Sequence, residues 1–221
     1  MATRKPELVK RIKQLKQKQL RWPKIDKKPS AGEVVIAIRT LIKYIGENPD
    51  RPGLVDTPLR VIKAWKNDWG LGYDSAFIRN QTRSILGGQF DDGAENYDEM
   101  ICLRRVPFYS FCEHHMALFS GYASVGYLPN KKILGLSKLA RTVNMFSRKL
   151  QVQERLTTEI ADFLDRNCKP LGVAVQLEAT HTCICSRGIK TSGVDAVTTA
   201  LRGIFLKDES AKAEFLASVR R

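Results

Sequence analysis

The apolar positions between residues 30 and 45 recur with the period of a helix. Val34, Ile38, Leu41, Ile42 and Ile45 fall on one stripe, and Ser30 stands three residues before Glu33, the spacing of a capping box. The segment from Gly46 to Gly53 reads as an ordered loop. Thr57 and Pro58 then offer an N-cap followed by proline at the first helical position, so a second helix is expected to run to about Asn67. Asp91 to Glu95 predicts a turn, and residues 99 to 110 predict a strand. Alternation through Leu118, Gly121, Ala123, Val125 and Tyr127 predicts another, stopped by Pro129 and Asn130. Ser137 is placed to cap a helix carrying Leu139, Val143, Phe146 and Leu150. The next helix, from about Val152 to Asn167, turns Leu156, Ile160, Phe163 and Leu164 to the core. From Gly172 to Thr180 the alternation returns, with Val173, Val175, Leu177 and Ala179 inward. A last strand near Leu201 to Leu206 and a helix from Glu209 to Val219 complete an α+β pattern.

Composition adds a class to this outline. A chain of 221 residues with 43% hydrophobic content builds a normal core. No apolar run approaches the roughly 20 residues that cross a membrane, and the N-terminus is charged where a secretory signal is apolar, so a cytoplasmic protein is expected. Five cysteines, an odd number, fit reduced thiols and metal ligation better than a disulfide framework. The net charge of +14 is unevenly placed: residues 1–28 hold eleven Lys or Arg against Glu7 and Asp26, a net of +9, and the rest carries +5. Such an arm binds polyanions, nucleic acid included, or forms a solvated helix with a thin stripe of Leu8, Ile12 and Leu15. The body's charge suits an anionic small ligand.

The three histidines all sit in two short clusters, Cys112-Glu113-His114-His115 and His181-Thr182-Cys183. Cysteine and histidine are zinc ligands, and Cys112-x2-His115 lets one turn supply two of them. A distant Cys183 makes three. Three protein ligands leave the fourth position of a tetrahedral ion open, the mark of a catalytic site. The alternative is polar turn residues beside a small buried thiol. Ser137, Lys138 and Arg141 place a hydroxyl and two cations on one early helical turn, a plausible phosphate seat, and Arg187 lies four residues beyond Cys183. Glu154 begins a helix, where a carboxylate either caps orphan N–H groups or accepts the adjacent donors of a guanine ring.

The strings GENPDRPGL, DTPLRV, CEHHMALFSG, GLSKLAR, QVQERLT and HTCICSRG, in that order and spacing, resemble GTP cyclohydrolase I from residue 46 to 188, with GIF and EFL extending the likeness toward residue 217. The resemblance implies a tunnelling fold (T-fold), an antiparallel sheet with helices packed on one face and preceded by N-terminal helices, assembled as a homodecamer with active sites between subunits. The chain then divides into a basic arm over 1–28, helical or flexible, a helical region over 29–98 and a catalytic domain over 99–221. By position in the motifs, Cys112, His115 and Cys183 match the family's Zn2+ ligands, and His114 and His181 its additional catalytic histidines. Lys138, Arg141 and Arg187 match the triphosphate-binding cations, with Arg60 and Lys63 resembling basic residues that reach in from a neighbour. Ser137, Gln153 and Glu154 fall on positions that hold ribose and guanine. The implied reaction turns GTP and water into formate and 7,8-dihydroneopterin triphosphate. Cys185 departs from the pattern: two residues from Cys183 on a strand, it would share that face and close the metal site. Two competing readings are a zinc-stabilised nucleic-acid-binding module that uses the basic arm, and a nitrile reductase of the same fold, which wants a nucleophilic cysteine and no CEHH cluster.

Overall fold

The computed structural model describes residues 27–91 and 97–220. The basic arm as far as residue 26 and most of the acidic turn expected at Asp91 to Glu95 lie outside the described residues. The chain forms two compact units, Met1–Ile62 and Lys63–Arg221. None of the described helices is long and apolar enough to cross a membrane.

In the first unit, helix α1 spans Ala31–Tyr44 and starts with the predicted box: the Glu33 N–H donates to Ser30 Oγ at 3.3 Å, and the Ser30 N–H donates to Glu33 Oε2 at 2.8 Å. The loop that follows is tied by ion pairs, Arg39 to Asp50 and Arg51 to Glu47. The apolar stripe forms as expected, yet only Ile42 is buried, and Leu41 and Ile45 remain 60% and 70% exposed. Helix α2 spans Thr57–Ala64, and helical backbone continues past the expected end near Asn67 as a π turn. Within the second unit, Trp65–Trp69 form this π turn, where Trp65 and Trp69 close on Phe111 with ring centroids 4.8 and 5.0 Å away.

The second unit is built on a five-stranded sheet of order β5-β2-β3-β6-β7. Its strands are β2 (Ile101–Cys112), β3 (Leu118–Leu128), β5 (Leu150–Gln151), β6 (Gly172–His181) and β7 (Ala196–Gly203). β2, β3, β6 and β7 are antiparallel to their neighbours, and β5 adds a short parallel edge. A small separate ladder pairs β1 (Gln89–Phe90) with β4 (Ile133–Leu134). Helix α3 (Ser75–Leu86) has no counterpart among the expected elements, although Asp74 caps it, accepting from the N–H groups of Ala76 and Phe77 at 2.7 and 2.8 Å. Helices α4 (Leu136–Ser147) and α5 (Gln153–Cys168) supply Leu139, Val143, Leu156, Ile160 and Leu164 to the main core, against Val173, Val175 and Leu177 of β6. Ser137 is the second residue of α4, not its cap; Gly135 holds that position.

Two features depart from helices on a single face. The short α7 (Ile204–Lys207) and α8 (Glu209–Val219) carry Phe205 and Phe215 to the other face, where they meet Ala174. Gly126 leaves the space that Phe215 fills, since a Cβ there would lie 2.9 Å from its ring. In β2, a bulge sets Arg104 and Arg105 against the single residue Ser124, because Leu103 pairs with Val125 and Val106 with Ala123. Arg105 has φ 56°, which the bulge imposes. The extra residue switches the inward parity from odd (Ile101, Leu103) to even (Val106, Phe108, Cys112), so the strand ends with Cys112 facing the core. The last strand begins five residues before its expected start. As an edge it carries Thr198, Thr199 and an exposed Val197, so no apolar alternation announces it.

Candidate metal centre

β2 and β3 are joined by the turn that holds the first cluster. Phe111 pairs with Leu118, the Cys112 N–H donates to the Ala117 carbonyl at 2.8 Å, and the Cys112 carbonyl accepts from the N–H groups of both His115 and Met116. That helical turn puts positions i and i+3 on one side, which is why Cys112-x2-His115 converges. Met116 closes the turn with φ 52°. The second cluster arrives on β6, whose His181 stands opposite Phe119 of β3. The chain then turns into α6 (Thr182–Cys185), fastened where Thr182 Oγ1 donates to the Leu118 carbonyl at 2.6 Å. Strand register thus closes the long sequence gap between the clusters.

The ligand atoms of Cys112, His115 and Cys183 lie within 4.8 Å of one another. Tetrahedral zinc, with Zn–S about 2.3 Å and Zn–N about 2.0–2.1 Å, holds ligand atoms roughly 3.5–4 Å apart. Cys112 Sγ and His115 Nδ1 are already 3.8 Å apart, so this donor set of two thiols and one imidazole fits such an ion. Burial and the adjacent Cys112 push the Cys183 thiol up, while Arg187 pulls it down. His114 Nδ1 is also 3.8 Å from Cys112 Sγ but stands outside the three-donor group. Cys185 stands outside it as well. Thr182–Cys185 is helical, not extended, so residues two apart point to opposite sides.

His181 is half-buried and its ring is fixed on two sides. It stacks on Phe119 with centroids 4.6 Å apart and planes 5° from parallel, and its Nε2 is 2.7 Å from Gln153 Oε1. Burial lowers its basicity, and the nearby Glu154 raises it. Gln153 is buried, with its amide nitrogen donating toward the Leu177 and Ala196 carbonyls and Thr198 Oγ1. The Glu154 carboxylate, exposed on the first turn of α5, makes no hydrogen bond or ion pair with the described residues, so it does not act as a helix cap.

The remaining predicted residues are spread out. Ser137 and Arg141 are exposed on α4, and the Lys138 ammonium donates to Ser84 Oγ at 3.4 Å. None of these three hydrogen-bonds to Cys112, His115 or Cys183. Arg60 pairs with Asp56 at 3.3 Å, and Lys63 is exposed. Sequence reasoning passed over Phe119 and Thr198. Phe119 lay inside the quoted string CEHHMALFSG, but only strand pairing reveals what its ring touches.

Fold and donor set together define an α+β protein with a thiol–imidazole–thiol centre suited to a transition metal. The family model for GTP cyclohydrolase I matches residues 34–220. The GTP cyclohydrolase 1 of Bartonella henselae is 46% identical over 195 residues, 88% of this chain and 91% of its own length. That of Janthinobacterium sp. (strain Marseille) is 49% identical over 182 residues, 82% and 88%. That of Wolinella succinogenes is 44% identical over 195 residues, 88% and 98%. The chain belongs to the GTP cyclohydrolase I family.

Proposed function

We propose that the chain converts GTP and water to 7,8-dihydroneopterin triphosphate and formate, the first step of a pterin or folate-type pathway, with Zn2+ held by Cys112, His115 and Cys183. The observation that carries this reading is the convergence of that donor set, from two clusters far apart in sequence, beside an anchored His181. When bound, zinc supplies Lewis-acid activation of water for attack at the purine C8. His181 and His114 hold and deliver protons through ring opening, formate release and rearrangement of the ribose, a task suited to imidazole, whose two ring nitrogens can accept and donate. Glu154, whose carboxylate has no hydrogen-bond or ion-pair partner among the described residues, accepts the adjacent N–H donors of guanine. Ser137 meets the ribose. Lys138, Arg141 and Arg187 receive the triphosphate.

Arg60 and Lys63, one turn apart on α2, serve a neighbouring subunit's site in a homodecamer of T-fold barrels. The apolar side chains exposed on α1 support this assembly. The antiparallel run β2-β3-β6-β7 with two long helices on one face supports the T-fold. Five free cysteines suit the reducing cytoplasm. The test is incubation with GTP and zinc, then oxidation and assay for pterin fluorescence and formate. Metal-replete, assembled protein that yields neither refutes the reading.

A further inference from the structure

The hydrogen bonds around Gln153 can each be given a direction. Its amide nitrogen faces two backbone carbonyls, Ala196 at 2.8 Å and Leu177 at 3.2 Å, and carbonyls only accept. Flipping the amide would turn its oxygen onto both of them, so Oε1 is the atom at His181. An amide oxygen also only accepts, so the ring nitrogen 2.7 Å away, Nε2, is the donor. The other end of the network is ordered in the same way. Thr157 Oγ1 donates to the Gln153 carbonyl at 2.7 Å, so at 2.6 Å Thr198 Oγ1 donates to Thr157, and Thr198 then accepts from the Gln153 amide at 3.1 Å. The two amide protons are shared among these three acceptors, none of which can donate back to the amide nitrogen, and Gln153 and Thr157 are almost fully buried.

We propose that Gln153 is a positioning residue. It fixes His181 as the Nε2–H tautomer against Phe119 and leaves Nδ1 as the free lone pair that faces chemistry. This rests on the reading of His181 as a proton-transfer group, and it reassigns Gln153 from a substrate contact to a residue acting through His181. A fixed tautomer matters because a ring that rotates or shifts its proton presents N–H where a lone pair is needed.

The test uses full-length protein labelled with 15N at histidine, where three residues keep assignment simple and His181→Asn identifies the signal. Long-range 1H–15N correlation, with and without zinc, is expected to show His181 as Nε2–H. In Gln153→Met the signal is expected to move to a tautomer mixture, with kcat down roughly 10–100-fold and the KM for GTP within about twofold. An Nδ1–H ring in the parent protein overturns the proposal. So does an unchanged spectrum in Gln153→Met, or a raised KM with kcat kept. If Gln153→Met does not fold, Thr198→Val removes one of the amide's acceptors and is expected to shift the same signal by less; no shift overturns the proposal. The spectrum is read without turnover, so it stands apart from any failure of the proposed reaction.

Discussion

Phe119 and His181 face each other across β3 and β6 with their rings almost parallel, 5° apart at 4.6 Å. Phe119 is fully buried, so the imidazole lies on a floor that cannot rock. Stacking of this kind contributes about 0.5–1.5 kcal/mol beyond burial. Phe119→Leu keeps an apolar side chain but removes the flat surface. It is expected to lower kcat about 3- to 10-fold with metal content unchanged, checked by steady-state kinetics alongside zinc analysis.

His115 is exposed, so His115→Ala removes a donor without opening the core. The variant is expected to keep its circular dichroism, lose stoichiometric zinc and lose turnover by at least ~10³-fold, the scale of several kcal/mol of Lewis-acid stabilisation. A chelator is expected to lower the melting temperature of the parent protein and not of the variant, because only the parent gains stability from metal binding.

Cys185→Ala tests the open fourth position from the other side. The residue lies outside the three-donor group, so zinc stoichiometry and kcat are both expected to stay within about twofold of the parent. Loss of one equivalent of zinc would show a closed four-ligand site.

Glu154→Gln replaces one acceptor of the proposed two-point contact with guanine by a donor. Charge-assisted hydrogen bonds contribute about 1.5–3 kcal/mol each, so kcat/KM for GTP is expected to fall roughly 10²-fold. Thermal stability is expected to hold, since the carboxylate has no hydrogen-bond or ion-pair partner among the described residues.

Burial pushes the Cys168 thiol up to about 11. An unfolded thiol ionises near about 8.5, so at higher pH the unfolded chain sheds this proton before the folded one does. The folded state then holds more protons, and stability falls as pH rises from about 8.5 to 11. Urea midpoints are expected to decline across that window with a shallower slope in Cys168→Ala, while the gap between the two proteins stays constant from pH 7 to 8.

The sequence carried the candidate donor group because its parts are local: one helical turn brings Cys112 and His115 together, and alternation carries β6 to His181, although Cys183 then lies in a helical turn and not on the strand. It carried α5, β3 and β6 almost to the residue, because each is packed against the core and shows a clean period. What sequence could not carry depends on neighbours. Edge strand β7 has no apolar alternation. The placement of α8 on the second face depends on Phe215 finding the gap at Gly126. The state of Gln153 is set by the Ala196 and Leu177 carbonyls, supplied by two different strands. Its motif position marked it as important without saying what its amide touches.

The bulge in β2 bears on how this strand can change length. Arg104 and Arg105 share one partner, so losing either would leave a regular ladder in which Leu103, Val106 and Cys112 keep their faces. Losing a residue between Val106 and Phe111 would instead turn Cys112 away from His115 and Cys183. Among homologous chains, single-residue deletions in this strand should therefore accumulate at the arginine pair, and an insertion beside Cys112 should be the rarer and costlier event.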